Sequence, residues 1–112
     1  MNEQYFISLF EGKDYMFVVI SEIRKLINNS FPDTTDKKII TNVMDMAISK
    51  NIAHGSDYEA KARATAKIVK YMAVKTRRLG LSNKINRNAA EVFIHSLELM
   101  MDRNIKKELF KD

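Results

Sequence analysis

The chain has 112 residues, 46% of them apolar, and its 19 basic and 14 acidic side chains leave a formal charge of +5. That balance is ordinary for a globular protein with one modest core, so disorder is not expected. There is no cysteine and there are only three glycines and one proline, which excludes a disulfide framework, a thiolate metal site, a cysteine nucleophile and the many tight turns of a β-sandwich.

The apolar periodicity predicts an all-α fold: a single domain, residues 1–112, built as a bundle of four main helices behind a short helical lead-in. The lead-in, Asn2 to Phe10, is aromatic-rich and ends near Gly12. It carries Glu3 and no basic cluster, so it does not read as a secretory signal. A first helix over about 14–28 is expected to start at Asp14 and to bury Met16, Val19, Ile20, Ile23, Leu26 and Ile27. The longest apolar run, Tyr15 to Ile20, is far too short to cross a bilayer. No membrane insertion and a cytoplasmic location are therefore expected. Asn28 to Thr35, with Pro32 inside it, reads as the clearest loop.

A second helix over about 35–54 would bury Ile40, Val43, Met44, Ala47 and Ile48. Gly55 would supply its left-handed stop, with His54 in its last turn. Ser56-Asp57-Tyr58-Glu59 matches a capping box, which opens a third helix over about 57–79 that Gly80 should end. Asn88-Ala89-Ala90-Glu91 repeats the cap pattern and opens a fourth helix over about 88–110. There Phe93, Leu97, Met101, Ile105 and Leu109 recur every four residues. Met44, Met46, Met72, Met100 and Met101 read as flexible core filling.

Charge is distributed unevenly. Between Ala60 and Ala90 stand nine of the 19 basic residues and none of the 14 acidic ones, so this window carries +9 and the remainder −4. At about 100° per residue, Arg63, Lys67, Lys70, Arg77 and Arg78 share roughly a third of the third helix, opposite Thr65, Ile68, Val69, Met72, Thr76 and Leu79. Lys84 and Arg87 extend the patch through the following loop, and Tyr71 and Val74 lie on or beside it. Such a face attracts a polyanion by releasing its counterions, and arginine adds forked donors suited to phosphate oxygens. The expected partner is nucleic acid, DNA before RNA, held by its phosphates, as in a small regulator, monomeric or dimeric. The alternative is a helical protein-interaction module, such as an immunity or antagonist protein, gripping a protein partner. In size, basicity and helical content the chain is similar both to small bacterial, phage and plasmid regulators and to immunity proteins against small bacteriocins. These likenesses are of bulk properties, and no functional position carries over from them.

A standard helix-turn-helix fits poorly. With Gly80 at the turn, Lys75 and Asn86 fall at positions that should be apolar, and the connection from Gly80 to Asn88 is too long. Glu91, His95, Glu98 and Asp102 form one polar row on the fourth helix, read as a solvated face rather than a metal site. No phosphate-cradling glycine loop or nucleophile elbow is present, so no catalysis, cofactor or metal is expected.

Overall fold

Four helices make up the computed structural model, which describes residues 15–52 and 58–100. They are α1 (Tyr15–Ser30), α2 (Thr34–Lys50), α3 (Tyr58–Leu81) and α4 (Arg87–Met100), with no strand among the described residues. This is the all-α four-helix bundle that the periodicity predicts. The lead-in, Asp14, His54, Gly55, Ser56, Asp57 and everything from Met101 onward lie outside the described residues.

The long helix α3 packs against α2 and α4, and α1 packs against all three, while α2 and α4 sit diagonally without packing on each other. The expected stripes supply the core. Val19, Ile23 and Ile27 of α1 are buried, with Ile40, Val43, Met44 and Ala47 of α2. Ile68, Val69 and Met72 of α3 and Phe93 and Leu97 of α4 complete it. Met46 departs from its expected place: it is 43% exposed, because it lies on the far side of α2 from Met44 and Ala47.

The helix ends depart further, and each departure has a local cause. The start of α2 is set by Asp33, whose carboxylate accepts from the amides of Thr35 (2.8 Å) and Asp36 (3.1 Å), an N-cap that satisfies two otherwise unpaired donors. The helix stops at Lys50, short of His54. Asn51 closes it, donating from its backbone to Ile48 (3.2 Å) and from its side-chain amide to Ala47 (2.9 Å). Phe31 lies in the expected loop yet is completely buried, its ring 5.5 Å from that of Phe93 at 54°.

Gly80 does not end α3. The helix runs through it to Leu81, and the reversal comes at Asn83, the one described non-glycine residue with positive φ (60°). There the amide of Lys84 donates to the carbonyl of Leu79 (2.9 Å) and that of Asn83 to Gly80 (3.2 Å). This pair of bonds is a Schellman closure with asparagine in the left-handed position. Gly80 instead lets two helices approach: a Cβ placed on it would stand 3.1 Å from the Cβ of Ala90 in α4. Neither atom can rotate away, so relief requires moving a helix. We expect Gly80→Val to lower stability by about 1–3 kcal/mol, measured by urea unfolding.

The start of α4 also differs from the expected Asn88 box. Asn86 is the cap: its side-chain oxygen accepts from the Ala89 amide at 2.9 Å and its carbonyl from the Ala90 amide at 3.0 Å. Its own amide donates to the buried Asp36 carboxylate at 3.1 Å, linking the starts of α2 and α4.

Two threonines of α3 are fully buried, and their hydroxyls differ. Thr65 donates to the Lys61 carbonyl at 2.7 Å, whereas Thr76 Oγ1 has no hydrogen-bond partner. An unsatisfied buried hydroxyl costs about 1–3 kcal/mol. Thr76→Val, which keeps the shape and removes the polar atom, should therefore raise stability by about 1 kcal/mol, seen as a higher urea midpoint at unchanged slope.

Candidate nucleic-acid interface

The basic block folds as α3 and the turn after it, and the helix sorts its charges by angle. Arg63, Lys67, Lys70, Arg77 and Arg78 are all exposed, while Lys61 and Lys75 are half-buried. The opposite side, from Thr65 to Thr76, lies in the core. This is the amphipathic division expected of a helix with one apolar face.

Packing then divides the basic face. Beside α3 stands the carboxyl-terminal end of α2, and between them runs a groove of about 490 Å³ lined by Lys50, Asn51, Lys67, Lys70, Tyr71, Val74, Lys75 and Arg78. A second depression of about 280 Å³ adjoins it, sharing Lys50, Asn51 and Lys67 and adding Arg63, Ile52, Ala60 and Ala64. Together they gather six cations from two helices, and no described lining residue is a carboxylate. One sign of charge in a concave site focuses the potential outward along the groove. The floor is less polar: Tyr71 packs partly on the core, while Val74 and Ile52 are 43% and 64% exposed.

Lys50 and Asn51 shape the α2 side of this groove. A helix carboxyl terminus carries partial negative charge, which would repel an anion. Asn51 occupies two of the last carbonyls, and Lys50 adds a full positive charge at the same end. The Lys50 ammonium lies over the Tyr71 ring, 5.4 Å from its centroid.

Of the expected site residues, Arg63, Lys67, Lys70 and Arg78 line these depressions. Arg77 does not. Its guanidinium points the other way, 3.4 Å from the Glu98 carboxylate on α4, with both side chains about half exposed. The cause is angular, since one residue on from Arg77 turns the helix by about 100°, and only Arg78 faces α2. Lys84 and Arg87 are exposed at the α3–α4 turn and line neither depression. Lys50 and Lys75 are groove residues that the sequence reading does not select. Lys75 belongs to the same acid-free block, but Lys50 sits in another helix and no sequence signal joins it to the block.

No family model, curated protein or solved structure matches the chain. Residue geometry alone therefore carries the functional reading. In the polar row of α4, Glu91 and His95 are exposed, Glu98 is engaged by Arg77 and Asp102 lies outside the described residues. No three His, Asp or Glu side chains converge on a common point among the described residues. None of the described helices is long and apolar enough to cross a membrane.

Proposed function

We propose that this protein binds nucleic acid through the groove between α2 and α3, with Lys50, Arg63, Lys67, Lys70, Lys75 and Arg78 as its phosphate contacts. A regulatory role is the natural use of such a small binding protein. The observation that carries the reading is the convergence of six cations from two helices on a concave surface without a described carboxylate. Natural helices usually intersperse glutamates among their lysines to form stabilising pairs, and the described residues lining this groove include none.

Phosphate contact of this kind predicts a steep salt response. With four to six contacts, affinity should fall by about 10²–10³-fold between 50 and 200 mM salt. Fluorescence anisotropy of labelled mixed-sequence oligonucleotides across a salt series measures this directly. Absence of binding to both duplex and single strands at low salt would end the reading. It would favour the protein-interaction alternative, for which the exposed Val92 and Leu99, two turns apart on α4, offer an apolar contact row.

A further inference from the structure

The proposed nucleic-acid function leaves open which form of nucleic acid fits, and the shape of the groove bears on that. A helix reads duplex DNA by projecting into a major groove about 12 Å wide. The basic face of α3 does not project freely, because the end of α2 stands beside it and Lys50 and Asn51 form a wall. Two open depressions of about 490 and 280 Å³ result. Their floor also differs from what a phosphate backbone alone would use. Tyr71, Val74 and Ile52 offer apolar surface between the cations. Unpaired bases cover such surface while their phosphates reach the rim, which is how single strands are generally bound.

Lys50 supplies the second part of the argument. Its ammonium rests over Tyr71 in an exposed setting, where a cation–π contact is weak. A charge-assisted hydrogen bond to a phosphate is the stronger alternative. Moving to a phosphate would take the ammonium off the ring and leave the aromatic surface to a base.

We propose that the groove takes a single strand, with Lys50 passing from the Tyr71 ring to a phosphate and a base taking its place on Tyr71. This rests on the nucleic-acid reading above and adds the form of the ligand.

The test compares a labelled mixed-sequence single strand of about ten nucleotides, in deoxyribo and ribo forms, with the duplex of the same sequence. The expected result is at least tenfold tighter binding of one or both single strands, on the order of one base-stacking contact. Tyr71→Leu should then weaken single-strand binding about tenfold without changing its salt slope. Lys50→Ala should lower that slope by about 0.7, the share of one phosphate on a single strand. Tyr71 is partly buried, so Val74→Glu serves as a second floor variant at a more exposed position, and it too should weaken the single strand at least tenfold. Equal or tighter binding of the duplex, or an unchanged salt slope in Lys50→Ala, overturns this inference while nucleic-acid binding through the five cations of α3 stands. No binding to any of the three probes at low salt overturns both.

Discussion

Reversing Lys67, Lys70 and Arg78 to glutamate is expected to weaken nucleic-acid binding by at least about a hundredfold at low salt, and to reduce the salt slope by two to three. All three side chains are exposed and line the groove, so their loss removes contacts without disturbing the core. The variant also places three carboxylates where phosphates would sit, adding repulsion to the lost attraction. A control, titrated beside it at physiological ionic strength, is Lys84→Glu with Arg87→Glu, which reverses two charges at the α3–α4 turn and should weaken binding less than about tenfold. At physiological ionic strength, charges farther than about 8 Å from the ligand are largely screened. Anisotropy titrations on both variants, with circular dichroism to verify retained helix, separate a local site from a general effect of net charge. Equal losses in the two would sink the groove assignment.

The largest effect on stability is expected from Phe31→Ala. The side chain is completely buried against Phe93, and truncating a buried phenylalanine costs about 3–5 kcal/mol. Small domains have only about 5–15 kcal/mol of total stability, so the thermal midpoint should fall by more than about 10 °C. Phe17→Ala, at a position 71% exposed, should change stability by no more than about 0.5 kcal/mol. Thermal melts of the two variants test whether the α1–α2 connection contributes to the core or merely joins two helices.

Much of the fold is legible in the sequence because helical burial is periodic. The core faces of α2 and α3 follow directly from the three- and four-residue spacing of apolar side chains. Phe31 breaks the rule because it sits among asparagine, serine and proline, which read as a turn, and only tertiary packing, including its contact with Phe93 of α4, draws it inward. Gly80 shows a different limit. A glycine suits a helix stop and a close helix crossing equally well, and the 3.1 Å approach to Ala90 that decides between them exists only in three dimensions. The true stop, Asn83, is a permitted but less common choice for a left-handed position.

The candidate site was legible on one helix and not across two. Helical angle alone places Lys67 and Lys70 together. It cannot say that α2 ends beside them and brings Lys50, or that Glu98 on α4 engages Arg77. Neighbours contributed by another element decide which members of a uniform basic block share a surface.

The hydrogen bond from the Asn86 amide to Asp36 spans 50 positions of sequence. It joins the beginnings of two helices that do not otherwise pack on each other. Asn86 also caps α4, so the residue that starts the last helix is held by the first turn of the second. Closing so long a loop carries an entropic cost that local helix formation does not repay. The two helix starts are therefore coupled, and loosening either end loosens both.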